Sequence, residues 1–368
     1  MASLMQRLGM KAPIVQAPMA GISTPAMAAA VTNAGALGSI GVGATDATGA
    51  RVMIEALRAK TSGPFNVNVF CHRPAIADGR REHAWLAALE PLFKRYGAQP
   101  PTAIHEIYTS FLADEAMVQL FEDVRPAVVS FHFGLPSAQT IGRLKSAGVV
   151  LFSTATNLDE AEKAAAAGVD AIVAQGYEAG GHRGAFDPGA PDTRLGVLAL
   201  TRLVASRIPL PVIAAGGIMD GAGIAAALDL GAELAQLGTA FVPCPESSAD
   251  AFYREALSGP GASATRMTAV ISGRHARCLA NRFTGLEDAE LMGLDIPDYP
   301  IAYDVGKALA AAGRAQGEGG FGAQWAGQGA PLARTLPAAE LVAVLAQELA
   351  AARARTHGTT AETPVAAS

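Results

Sequence analysis

Eight short apolar runs, nearly all separated by one helix-length segment, limit what this chain can fold into more than any other feature. They span residues 14–19, 36–41, 65–70, 127–133, 149–154, 169–174, 211–215 and 234–241. Strand-length runs alternating with helices read as parallel strands joined by helical crossovers. Eight such units favour an α/β fold of the closed (β/α)8 or TIM-barrel type. An open doubly wound sheet usually has fewer strands and one switch point. Helix starts punctuate the pattern: Thr24 precedes Pro25, and Asn157 precedes an acidic first turn ending in Glu160, which is capping chemistry.

The helix expected after the eighth strand is missing. The apolar segment 337–350 can supply it, which makes 243–333 an insertion at the C-terminal mouth of the barrel. The expected division is therefore a barrel domain over 1–242 and 334–356, a mainly helical lid over 243–333, and a flexible tail over 357–368. Half the residues are apolar and 17% charged, enough to bury a large core. A net charge of −5 without basic clusters argues against nucleic acid as a partner. Three scattered cysteines, Cys71, Cys244 and Cys278, give neither a disulfide framework nor zinc spacing, and no metal is expected. No stretch approaches the about 20 apolar residues of a membrane span, and the start lacks a signal-peptide pattern, so the expectation is a cytoplasmic protein with no membrane partner. Oligomeric state is left open.

Barrel enzymes work at the C-terminal ends of their strands. Those ends carry Ala17, Pro18 and Met19; Asn68; His132; Gln175 with Gly180, Gly181 and His182; Gly216 and Gly217; and Gln236, Leu237, Gly238 and Thr239. Glycines and a threonine after the seventh and eighth strands suit a phosphate bound by backbone N–H groups. Amides and exposed backbone after the first, third and sixth suit a flat heterocycle. Only the fourth strand offers a base. His132 lies between Phe131 and Phe133, and strand alternation points it opposite to both; it is either a general base in an apolar setting or a satisfied core histidine. His182, in a glycine-rich loop, suits cofactor contact better than proton abstraction, with a surface loop histidine as the alternative. P-loop, dinucleotide and serine-hydrolase signatures are absent, so the chemistry falls to a phosphate-bearing organic cofactor.

These residues resemble a known family. Segments 16–21 (Gln-Ala-Pro-Met-Ala-Gly), 66–70 (Asn-Val-Asn-Val-Phe), 130–134 (Ser-Phe-His-Phe-Gly), 175–184 (Gln-Gly-Tyr-Glu-Ala-Gly-Gly-His-Arg-Gly), 215–218 (Ala-Gly-Gly-Ile) and 236–239 (Gln-Leu-Gly-Thr) look like those of the nitronate monooxygenases, formerly 2-nitropropane dioxygenases. The 130–134 segment points to class I. The likeness covers roughly residues 13–335 and includes a closing segment at 321–328. Arg274 and Arg282 fall in a stretch like the family's insertion, where Cys278 stands in place of a frequent glycine.

The resemblance implies an FMN-binding barrel under a helical lid. Asn68 and Gln175 would hydrogen-bond the flavin ring system, and Gly180, Gly217 and 236–239 would cradle its phosphate. His132 would be the catalytic base. Tyr299, Tyr303 and Lys307 match the family's Tyr-x-x-x-Tyr-x-x-x-Lys pattern, spaced for one helical face and suited to an anionic substrate; an ordinary amphipathic helix is the alternative. The implied reaction is oxidative denitrification of alkyl nitronates, propionate 3-nitronate foremost, with O2. It passes one electron to the flavin, gives carbonyl compounds with nitrite or nitrate, and needs no NAD(P)H. Rival readings are an FMN-dependent NAD(P)H:quinone or enoyl-thioester reductase on the same barrel, and a flavin-binding protein without turnover.

Overall fold

The computed structural model describes residues 2–358; most of the expected tail, 359–368, lies outside the described residues. Its main sheet takes β1 (Ile14–Gln16), β2 (Gly38–Gly41), β3 (Phe65–Phe70), β4 (Val128–His132), β5 (Val150–Ala155) and β6 (Ala171–Gln175). After a short strand β7 (Gly181–His182), β8 (Val212–Ala215) and β9 (Leu234–Leu237) complete it. The eight strands run parallel in the order β1-β9-β8-β6-β5-β4-β3-β2. A bridge between Val15 and Leu37 joins β1 to β2, so the sheet closes into a barrel.

Strand alternation divides each strand between two cores. Val128, Phe152, Val173, Ile213 and Leu234 pack inside the barrel with Leu4 and Leu8, which plug its N-terminal end. Val129, Phe131, Leu151 and Ile172 face outward onto the helices. The same parity turns Ser130 and His132, Asn66 and Asn68, and Gln175 to the inside. Side-chain caps start the crossover helices, with Thr24, Asp46, Ser137, Asn157 and Asp220 each accepting from a backbone N–H in the first turn. The last helix, Ala338–Gly358, stands where the missing eighth was expected. Its Leu341, Leu345 and Leu349 pack with Ile224 and Val31.

The first strand stops at Gln16 rather than at residue 19. Ala17 N still donates to Leu237 O at 2.8 Å, but Pro18 has no N–H to extend the ladder. The eighth stops at Leu237, and Thr239–Phe241 forms a turn of 3-10 helix.

The lid is less separate from the barrel than the sequence suggests. Strands β10 (Thr265–Thr268) and β11 (Ala276–Leu279) form a hairpin whose second strand pairs with β7. Gly181–His182, within the 176–184 segment, is thus an edge strand paired to the lid, and only the residues around it are loop. The helix Gly79–Arg95 also joins the lid: its Trp85, Leu89 and Phe93 share a core with Phe283, Val305, Leu309 and Phe321. Full burial of each such side chain contributes roughly 1.5–3 kcal/mol.

Candidate active site

At the C-terminal mouth an inner cavity is walled by Ala17, Pro18, Met19, Asn68, His132, Gln175, Gly180, Gly181, His182, Gly216, Gly217, Gln236, Gly238, Thr239, Tyr299 and Tyr303. The structure therefore brings nearly all the sequence-derived candidates together. Leu237 is off this wall. The alternation that turns Gln236 inward turns Leu237 outward to pack beside Ile224, and only its carbonyl serves the site's frame. Lys307 also stands apart, lining an adjoining outer cavity with Arg314 and Asp250. Its Nζ lies 4.7 Å and 5.2 Å from the ring centroids of Tyr108 and Tyr303. The lid helix begins only at Ile301, so Tyr299 precedes the helical face on which Tyr303 and Lys307 sit.

One side of the cavity is glycine backbone. Gly216 and Gly217 follow β8 with φ of 133° and 67°, a left-handed path that favours glycine. Gly180 packs against the lid, where a Cβ would fall 2.5 Å from Gly327 N. Thr239 Oγ1 accepts from Gly327 N at 3.0 Å. Peptide groups rather than side chains are thus presented, which suits a phosphate. Gly327, from the closing segment 321–328, and Gly329 just after it are also on the wall, and the strand-end reading did not reach them.

On the other side stand the histidines. His132 Nε2 lies 3.2 Å from His182 O and Nδ1 3.0 Å from Thr154 Oγ1. A carbonyl only accepts, so Nε2 carries the proton and Nδ1 accepts from the Thr154 hydroxyl. Burial, then the nearby Arg274, pushes the His132 pKa down to about 4. Gln175 holds the same turn: its Nε2 donates to His182 O at 3.0 Å and its Oε1 accepts from Gly184 N at 2.8 Å. One amide hydrogen is left for a ligand. Asn68 Nδ2 donates to Ser130 Oγ at 2.9 Å. His182 Nε2 meets Ser272 Oγ at 2.9 Å and its ring lies 4.9 Å from Trp325; burial holds its pKa well below the ordinary imidazole value.

Phe133 departs from the alternation expected of it. Strand β4 ends at His132, and Phe133 takes φ of 73°. That sparsely populated conformation, costing about 1–3 kcal/mol, swings its ring into the cavity, 4.4 Å from the His132 ring. His72, which the strand-end reading did not reach, is buried beside it, 5.1 Å from Tyr299. Burial lowers its pKa to about 4. Thr154 was legible in principle, because it shares the inward parity of Phe152; Tyr108, Phe133 and Trp325 carry no such local signal.

Among the described residues the cavity wall holds no acidic, lysine or arginine side chain. The Tyr303 hydroxyl is pushed up to about 12 by burial and stays neutral. A small anion would enter a space without a competing carboxylate, with neutral hydrogen-bonding groups and two cations, Arg274 and Lys307, close outside.

A family model described as nitronate monooxygenase matches residues 2–348. A nitronate monooxygenase of Paraburkholderia phytofirmans is 63% identical over 347 residues, covering 94% of each chain. One of Pseudomonas aeruginosa is 55% identical over 343 residues, covering 93% of this chain and 97% of its own. Among solved structures, a nitroalkane oxidase of Streptomyces ansochromogenes superposes with a TM-score of 0.89 at 40% identity, covering 96% of this chain and all of that one. An uncharged cavity at the mouth of a closed barrel and relatives this similar along their whole length lead to one conclusion: the chain belongs to the nitronate monooxygenase family.

Proposed function

We propose that the chain is an FMN-dependent enzyme that converts alkyl nitronates, propionate 3-nitronate among them, with O2 to carbonyl compounds and nitrite or nitrate. The observation that carries this reading is the pairing, across one uncharged cavity, of a glycine-backbone cradle with a neutral imidazole. Gly180, Gly216, Gly217, Gly238, Thr239 and the lid's Gly327 would hold the flavin phosphate. Ala17, Pro18, Met19, Asn68, Gln175, Gly181, His182 and Gln236 would border the ring system, with Leu237 contributing main chain alone. Bound there, the flavin would accept electrons from the nitronate and hand them to O2.

The protein's own part is to bind, orient and exclude water. Tyr299, Tyr303 and Trp325 close the lid side, and Lys307 in the outer cavity draws a carboxylate-bearing substrate inward. A neutral nitroalkane would give its α-proton to His132 Nδ1 once the Thr154 hydroxyl turns aside. An imidazole held near 4 accepts that proton poorly at neutral pH. Preformed nitronates are therefore the favoured substrates.

The division into a barrel (1–242 and 334–356) and a lid (243–333) belongs to the same proposal, with 79–95 added to the lid by its packing. No helix among the described residues is long and apolar enough to cross a membrane. Three buried, unpaired cysteines agree with a reducing, cytoplasmic setting. The test is anaerobic mixing of the purified, FMN-loaded protein with propionate 3-nitronate, and separately with NADH and NADPH. Bleaching of the flavin absorption by the nitronate alone is expected; rapid bleaching by NADH or NADPH would support a reductase instead.

A further inference from the structure

Arg274, in the turn between β10 and β11, is only 5% exposed and among the described residues has no carboxylate within ion-pair distance. Its Nη2 donates to Ala185 O, while its Nε has no hydrogen-bond partner. Its Cζ stands 4.1 Å from the centroid of the Phe133 ring. That ring is the hub of the cavity's aromatic side, with ring centroids 4.4 Å from His132, 5.4 Å from Tyr299, 5.7 Å from His182 and 6.3 Å from His72. The acidic groups within electrostatic reach are engaged elsewhere. Glu160 accepts from Thr156 N and Oγ1 and from Phe186 N, and Asp187 pairs with Arg73 at 2.9 Å. Burying a cation without a counter-charge is costly, and such groups concentrate at functional sites.

We propose that Arg274 is a positioning residue of this site, the fixed positive charge that holds an anionic substrate in the inner cavity across the face of Phe133. The inference rests on the nitronate reading for the identity of the anion, but the charge and its neighbours do not depend on it. Arg274 remains protonated at neutral pH, since burial lowers it only to about 10. The same charge opposes protonation of the imidazoles around it. His132 faces Arg274, Arg183 and His182; His182 faces His132, Arg274 and His72; His72 faces Arg274 and Glu106, whose Oε1 is 3.7 Å away. Asp192 offsets Arg183 through a pair at 2.7 Å, whereas among the described residues Arg274 forms no such pair and has only the longer-range fields of Glu160 and Asp187.

The test uses the FMN-loaded full chain as wild type, Arg274→Met and Arg274→Lys. Anaerobic rapid mixing over a series of concentrations reads the affinity for ethyl nitronate and for neutral nitroethane from saturation of the flavin's spectral change, and NMR of 15N-labelled histidine reads the ring titrations. In Arg274→Met the anion should bind roughly tenfold more weakly, the order expected for the loss of one unit charge in a partly polar interior. Nitroethane affinity should stay within about twofold, below the 1.4 kcal/mol that a tenfold change represents, and the His132 titration should move up. Arg274→Lys should restore most of both. Unchanged anion affinity in a folded Arg274→Met protein overturns the proposal. Should that variant fail to fold, the wild-type titration decides: buried rings titrating at the ordinary value near 6.5 overturn it. A charge-dependent loss of anion binding in an enzyme that never turns nitronate over would uphold Arg274's role and refute the proposed reaction.

Discussion

Gly180 gives the sharpest test of how the cavity is built. Its backbone takes no left-handed conformation, so alanine is opposed there by contact alone. A Cβ would lie 2.5 Å from Gly327 N and 2.6 Å from the Ala326 carbonyl carbon. Ordinary contact begins at 3.4 Å, so the two backbones must part by 3.4 − 2.5 = 0.9 Å. Neither is the end of a flexible side chain. Overpacking of this kind costs about 1–3 kcal/mol. With an unfolding entropy of roughly 2.1 cal/mol/K per residue over 368 residues, about 0.8 kcal/mol/K, the melting temperature should fall by about 1–4 °C. The displacement also pulls Gly327 N from Thr239 Oγ1 and opens the cradle, so FMN should bind more weakly, on the order of tenfold, or about 1.4 kcal/mol. Gly142→Ala is the control. It lies exposed in the helix Ala138–Ser146, a Cβ there meets nothing within 4 Å, and alanine should stabilise by about 0.5–1 kcal/mol. Thermal melting with and without FMN, and flavin fluorescence quenching, read both effects. If Gly180→Ala melts and binds FMN like the parent while Gly142→Ala behaves as stated, the reasoning about this contact is wrong.

Three further outcomes are expected. His132→Asn should lose nitroethane oxidation and keep ethyl nitronate turnover within a few-fold, measured by oxygen uptake on each; equal loss on both would remove His132 from the base role. His72 and His132, held near 4 in the native state against 6.5 unfolded, make the protein acid-labile. Their contribution is complete above pH 6.5. As pH falls from 6.5 towards 4 the unfolded chain binds protons that the native state does not, so stability drops by about 1.4 kcal/mol per pH unit for each ring. Urea unfolding at pH 7, 6 and 5 checks this, and flat stability would contradict it. Lys307→Met should raise KM for propionate 3-nitronate roughly two- to fivefold, the range of a solvent-accessible charge pair. Ethyl nitronate, which has no carboxylate, should show no change; parallel changes for both would place the effect elsewhere.

Much of the barrel could be read from local pattern because its information is local. Val128, Ser130 and His132 alternate with Val129 and Phe131, and that period of two alone sends one set inward and the other onto the helices. The same parity accounts for Asn68, Gln175 and Gln236 on the wall. Applied consistently it would also have kept Leu237 off the wall and added Thr154. The parity rule fails at Phe133, where a positive φ ends the strand one residue early and turns the ring back towards its neighbour.

What the sequence determined by itself was the closed eight-stranded barrel, the glycine cradle after its last two strands and the inward histidine, all of which follow from spacing within a few residues. Tertiary structure alone decided which distant groups meet there. His72, Phe133, His182, Arg274, Tyr299 and Trp325 come from the loops after β3 and β4, a short edge strand and the lid, and form one cluster only after the hairpin β10–β11 pairs with β7. No periodicity links such positions, because their contacts depend on how the loops and lid pack over the finished barrel.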